Sequence, residues 1–216
     1  MGAALMGGAG AALSAGSAEA ATGCGVQISW AAWVGGQALT CGDKAFTFSS
    51  TSILGDLSSS LVSSVEPLPG DHLFNVDWGN FVSNPFDFTY VATITDPSRI
   101  FSAVDIDSNA DSFANPPSDL TATYTFTGGN SPIALTSTNG SSDLASVNGG
   151  PTVITVRNQY DGEGAIDSFQ NSFKQSSPGP GPTSPVPGPL PVLGAGVAFG
   201  FSRKLRRRIN GARVKA

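Results

Sequence analysis

Leu120-Thr121-Ala122-Thr123-Tyr124-Thr125-Phe126-Thr127 decides the fold class of this chain. Apolar and aromatic residues alternate with threonine without a break, and a period of two belongs to a β-strand with one buried and one solvated face. Upstream, Phe86, Phe88, Tyr90, Ala92 and Ile94 alternate with Asp87, Thr89, Val91, Thr93 and Thr95 in the same way. Shorter runs follow the rule at Val26 to Trp33, Ala45 to Phe48, Leu73 to Trp78, Ile100 to Ile106, Pro132 to Leu135, Val153 to Val156 and Ile166 to Phe173. Turn formers punctuate them: Asp96-Pro97, Asn115-Pro116-Pro117, Gly128-Gly129-Asn130, Asn139-Gly140, Asn148-Gly149-Gly150-Pro151 and Asp161-Gly162. About nine short strands over residues 21–175 predict an all-β, antiparallel β-sandwich, long enough to bury one core. Ile53, Leu54, Leu57, Leu61 and Val65 sit near helical spacing instead, although the serines between them are poor helix interiors.

The chain changes character after residue 175. Residues 176–189 are a Pro/Gly/Ser linker, and repeated proline removes backbone donors and favours an extended, solvated segment. An apolar run from Leu190 to Phe201 comes next, followed by a basic cluster with Arg203, Lys204, Arg206, Arg207 and Arg208. Twelve residues of helix would reach only ~18 Å against a hydrocarbon core of ~30 Å, so embedding needs thinning or snorkelling of the flanking cations. Lys and Arg beside a membrane segment resist translocation, which predicts a cytoplasmic basic end and an exported body. We therefore divide the chain into a linker (176–189), a short transmembrane segment with its basic end (190–209) and a tail (210–216).

Charge follows the same division. Seven of the eleven Lys and Arg follow the linker, whereas all sixteen Asp and Glu precede it, so residues 1–175 carry four cations against sixteen carboxylates, a net charge of −12. An acidic body argues against nucleic acid as its partner. At the N-terminus, Leu5 to Ala18 is an uncharged Ala/Gly/Leu run, and Ala18-Glu19-Ala20 before Ala21 fits a signal-peptidase site, which makes residues 1–20 a signal peptide. No basic residue occurs before Lys44, so the true start is expected upstream of Met1. Cys24 and Cys41 are the only cysteines; an oxidising compartment would let them close one disulfide worth ~3 kcal/mol, and two free thiols are the alternative.

Few residues of the body carry readable chemistry. Asp105, Asp107, Asn109 and Asp111 supply alternating oxygen donors suited to calcium, but Ala110 stands where an EF-hand loop has glycine; outward positions of a strand edge explain the same pattern. Asp161-Gly162-Glu163-Gly164 is a second acidic turn. His72, the only histidine, has no metal or nucleophile motif around it and reads as an exposed turn before a strand. A carboxylate pair for glycoside hydrolysis is a matter of spatial separation, not of spacing in sequence. Trp30, Trp33, Trp78 and Phe81 would either line a sugar-stacking face or fill the core, and Trp78 continues the alternation of Phe74 and Val76. Asn139-Gly140-Ser141 matches a glycosylation sequon and equally an Asn-Gly turn.

The tail, Val186-Pro187-Gly188-Pro189-Leu190-Pro191-Val192-Leu193-Gly194-Ala195 through Ser202-Arg203-Lys204-Leu205-Arg206-Arg207-Arg208-Ile209, resembles a PEP-CTERM sorting domain of the bacterial exosortase system, in a cyanobacterial-like form. The resemblance covers about residues 185–209. It implies that Val186, Pro187, Gly188 and Pro189 form the sorting motif, with Gly188 where the family usually has glutamate. It further implies an exosortase-type processing enzyme as partner, transient membrane anchoring, and a final place on the cell surface or outside the cell. Val104-Asp105-Ile106-Asp107-Ser108 and Ser168-Phe169-Gln170-Asn171-Ser172-Phe173 are similar to strands in the bodies of such proteins. The expectation is a non-catalytic, structural surface or extracellular-matrix protein, without cofactor unless calcium binds, and with exopolysaccharide as a candidate partner. The competing reading is a carbohydrate- or calcium-binding surface module, and a third is a secreted hydrolase.

Overall fold

Leu120, Ala122, Tyr124 and Phe126 all point into the interior from a single strand, and their threonine neighbours face the other way. The computed structural model describes residues 21–111, 116–128 and 130–177. Within them run β1 (Ala21–Thr22), β2 (Gln27–Ser29), β3 (Leu39–Cys41), β4 (Lys44–Ile53), β5 (Leu61–Leu68), β6 (Asp71–Val82) and β7 (Phe86–Ile94). They are followed by β8 (Ile100–Ala110), β9 (Asp119–Phe126), β10 (Ile133–Thr138), β11 (Asp143–Ser146), β12 (Val153–Tyr160) and β13 (Ile166–Ser176). A helix, α1 (Trp30–Val34), lies between β2 and β3, and a 3-10 turn, Leu57–Ser59, between β4 and β5.

The strands form two sheets, one of seven in the order β1-β3-β4-β7-β12-β9-β10 and one of six in the order β11-β8-β13-β6-β5-β2. All pairings are antiparallel except β1 with β3. The inward faces meet in one core. Aromatic rings dominate it: Trp33 packs edge-on against Trp30, Phe48, Phe88 and Tyr90, and Phe74 stacks on Tyr90 with centroids 4.2 Å apart. Each such ring buries a large apolar area and gains a further ~0.5–1.5 kcal/mol from offset or edge geometry. A polar bridge crosses the same core. Tyr90 donates its hydroxyl to Asn171 Oδ1 (2.8 Å), Asn171 Nδ2 donates to the Tyr124 oxygen (3.2 Å), and Tyr124 donates to the Asp105 carbonyl (2.7 Å).

The edge of the larger sheet is blunted from within. The Thr136 amide donates to Asp143 Oδ2 and the Thr138 amide to Ser141 Oγ, so side chains satisfy donors that β10 would otherwise offer to another strand.

Nine of the strands coincide with the alternating runs; β1, β3, β5 and β11 escaped the pattern because two to four residues carry too little periodicity, or, in β5, because serines occupy inward positions. The run Val26 to Trp33 is only half strand. At Ser29 the chain turns into α1, where the Ser29 hydroxyl accepts from the Ala32 amide, and the i, i+3 spacing delivers both Trp30 and Trp33 to the core. The ambiguous stretch around Leu57 resolves into the 3-10 turn, with Leu57 buried, followed by β5. Ser176 belongs to β13, so the body ends one residue later than expected. Residues 1–20, most of the linker, the sorting motif Val186 to Pro189, the apolar segment and the basic residues Arg203 to Arg208 lie outside the described residues.

Candidate functional site

Two polar assemblies stand out, one buried at an end of the sandwich and one spread over an outer face. The first grows from the β3–β4 hairpin, Cys41-Gly42-Asp43-Lys44, which a positive φ of 59° at Gly42 allows to turn tightly. Cys41 is tied to Cys24 by a disulfide with Cα atoms 4.4 Å apart. Backbone bonds from Gly23 to Thr40 and from Gly25 to Ser64 hold the N-terminal segment against both sheets. Lys44 then enters the interior. It is buried, donates to Asp43 Oδ1 at 2.6 Å and to Gln175 Oε1, and lies 5.7 Å from the Phe101 ring centroid. Burial lowers its pKa, and the bond to Asp43 opposes that.

His72 shares this end. Contrary to the exposed turn expected from Pro69-Gly70-Asp71, it is an inward residue of β6 with 1% exposure, because the alternation of Phe74, Val76 and Trp78 extends back through it. Its Nε2 lies 3.8 Å from both Asp43 Oδ1 and Glu66 Oε2, and neither ring nitrogen has a hydrogen-bond partner. Burial and the Lys44 ammonium depress its pKa, while Glu66 and Asp43 pull the other way. The ring is held neutral, and the Lys44 ammonium already occupies the cationic position among these carboxylates. Among the described residues no group of three or more His, Cys, Asp or Glu is arranged to hold a metal ion.

The second assembly covers the outer face of the six-stranded sheet. In β8, Val104, Ile106 and Ser108 point inward, so Asp105, Asp107 and Asn109 share the opposite face; in β13 the outward set is Ser168, Gln170 and Ser172, and in β6 it is Leu73, Asn75 and Asp77. Register aligns these residues in rows across the strands. Gln170 pairs with Asp107 on one side and Asn75 on the other, Asn75 pairs with Ser63 of β5, and Ser172 lies between Asp105 and Leu73. Asp105 is only 4% exposed despite facing outward, and its Oδ1 lacks a hydrogen-bond partner; burial, then the charge of Asp107, pushes its pKa up to about 7.

The four residues suggested for calcium fall here, strung along β8 and its end rather than gathered. Same-face neighbours on a strand are ~6.6 Å apart, whereas donors to one calcium ion lie 2.3–2.6 Å from it and need a curling loop. Asn109 donates instead to Asp167 Oδ2 at 2.9 Å. Trp30, Trp33 and Trp78 are all core residues, with indole donors bonded to the Phe46 carbonyl (Trp33) and the Asp56 carbonyl (Trp78); Phe81 alone of the four is exposed. The Asp161-Gly162-Glu163-Gly164 turn is structural, since Asp161 Oδ1 accepts from the Glu163 amide. Asn139 and Gly140 both adopt positive φ between β10 and β11, and Asn139 Oδ1 accepts from the Ser118 amide. No helix among the described residues is long and apolar enough to cross a membrane.

Neither a protein-family model nor a curated protein matches the chain. Among solved structures it is similar to a family 29 carbohydrate-binding module, at 9% identity and a TM-score of 0.28, with 62% of this chain and 90% of that one covered. A mutant family 29 module, solved to probe ligand recognition, is similar at 11% identity and a TM-score of 0.26, with coverages of 66% and 98%. Likenesses of this size assign neither a ligand nor an activity to the present chain.

Proposed function

We propose that this is an exported, non-catalytic protein of the cell envelope or extracellular matrix, with the acidic sandwich displayed outside the membrane. The observation that carries the proposal is the Cys24–Cys41 disulfide, because such a bond persists in oxidising compartments and is rare in the cytosol. The linker, apolar run and basic end support the same route, with Val186, Pro187, Gly188 and Pro189 as the processing motif for an exosortase-type enzyme. Mass spectrometry of protein recovered from envelope and medium tests this. Chains lacking everything from Leu190 onward, with Cys24 and Cys41 oxidised, are expected outside the cell; reduced, full-length protein confined to the cytosol overturns the proposal.

A second reading gives the exported sandwich a task, as a carbohydrate-binding surface module for exopolysaccharide. It is favoured by the outward rows of amide, hydroxyl and carboxylate side chains on the six-stranded sheet, groups that match the hydrogen-bonding needs of sugar hydroxyls.

A further inference from the structure

We propose that Lys44 and Gln175 are the two halves of a self-made isopeptide bond, in which the Lys44 amine displaces ammonia from the Gln175 carboxamide and ties the two sheets together covalently.

Geometry supplies the first argument. Lys44 belongs to β4 in the seven-stranded sheet and Gln175 to β13 in the six-stranded sheet, yet the Lys44 Nζ meets the Gln175 side-chain oxygen directly. Both partners are held in place. The Lys44 side chain is fully buried, with Nζ 5.7 Å from the Phe101 ring centroid. The Gln175 amide donates to the Gly70 carbonyl at 2.9 Å, and a Cβ on Gly70 would come within 3.3 Å of Gln175 Cγ, so the glycine leaves room for this side chain. An unactivated carboxamide is a poor electrophile in solution, but fixed contact replaces collision, and well-oriented groups reach effective concentrations of ~10⁵–10⁸ M.

Chemistry supplies the second. A lysine is a nucleophile only as the free amine, and burial favours that form by lowering the Lys44 pKa. Asp43 Oδ1, 2.6 Å from Nζ, is placed to take the proton. The amine lone pair then attacks Gln175 Cδ, forming the new C–N bond and moving the carbonyl electrons onto Oε1. Asp43 returns its proton to Nε2, the Cδ–Nε2 bond breaks as the carbonyl re-forms, and the surplus proton on the new amide leaves with ammonia as ammonium. An ammonium and a carboxamide thus become a secondary amide and ammonium, with no change of oxidation state and no further reactant. Asp43 and Gln175 are only partly buried, which gives the released ammonium a way out. The freshly folded chain holds Lys44 and Asp43 as the ion pair seen here.

The bond closes a covalent loop over a sequence separation of 131, at the same end of the sandwich as the Cys24–Cys41 disulfide. Load entering at the end of β13 would pass straight into β4 instead of unzipping β13 from its neighbours.

The test is proteolytic mass spectrometry of the purified full-length chain, reduced and alkylated, beside denaturing electrophoresis of the same sample. Wild type is expected to resist trypsin after Lys44, to yield a peptide joining Lys44 to Gln175 that is lighter than its two parts by one ammonia, and to migrate faster than an unlinked chain. Lys44→Met and Gln175→Met should each abolish the linked peptide and the faster migration. Asp43→Asn should lower the linked fraction at least about tenfold in protein shown by circular dichroism to be folded. Wild type cut after Lys44, with Gln175 in an unlinked peptide, overturns the proposal whether or not any variant folds. A link to Glu66 formed with loss of water overturns the assignment to Gln175, and undiminished linkage in Asp43→Asn overturns the proton-transfer role of Asp43.

Discussion

Asp43 Oδ1 accepts a hydrogen bond from the buried Lys44 ammonium at 2.6 Å, and the carboxylate itself reaches solvent. The pair therefore draws a cation into the end of the sandwich while its counter-ion stays partly hydrated. Removing one partner of such a pair costs more than replacing a cation by an apolar chain, because it leaves a buried charge without its anion. Asp43→Asn is expected to destabilise the domain by about 2–4 kcal/mol in urea unfolding, and Lys44→Met by less.

The neighbouring histidine sets an acid limit. His72 has its pKa lowered in the fold, so the unfolded chain binds its proton more readily. Its contribution to stability is complete above the ordinary histidine value of 6.5 and is lost as pH falls below it. Thermal melts of the native protein should show this loss as pH falls below about 6.5, and His72→Gln should flatten the profile there.

Asp105 acts in the opposite sense. Burial pushes its pKa up to about 7 from the ordinary 3.8, so the fold favours the protonated acid. That preference stabilises fully at acidic pH and is lost as pH rises from near 4 through 7. Asp105→Asn should remove the loss and stabilise the domain at pH 8 by up to about 4 kcal/mol, with little effect at pH 4; denaturant titrations at the two pH values check it.

Reduction of the Cys24–Cys41 bond should release the N-terminal segment from β3. From a sequence separation of 17 the expected cost is ~3 kcal/mol. The Cys24→Ser, Cys41→Ser double variant should show the same fall in melting temperature as the reduced wild type.

In the core, Asn171→Ala would leave the Tyr90 hydroxyl without its acceptor and open space between the sheets. The expected loss is about 2–4 kcal/mol, read as a shift in urea midpoint; Asn171→Leu restores volume but not the hydrogen bond and should lose stability as well.

The sequence by itself determined the class of fold and the location of most strands. Alternation at Leu120 to Thr127, Phe86 to Thr95 and Leu73 to Trp78 is a local property, because successive side chains of a strand must leave on opposite sides. It also determined the separation of an acidic body from a basic end, since charge is additive along the chain. Tertiary structure decided which residues meet. His72 was invisible as a buried group because Gly70 and Asp71 beside it read as a turn, and only pairing of β6 with β5 and β13 places it inside. Asp43 and Lys44, Glu66 and Gln175 likewise converge from three separate segments. The rows that join Asp107, Gln170, Asn75 and Ser63 arise from register between strands up to 107 residues apart, counted from Ser63 to Gln170. Register depends on how the hydrophobic faces of the whole sheet seat in the core, and no single segment encodes it.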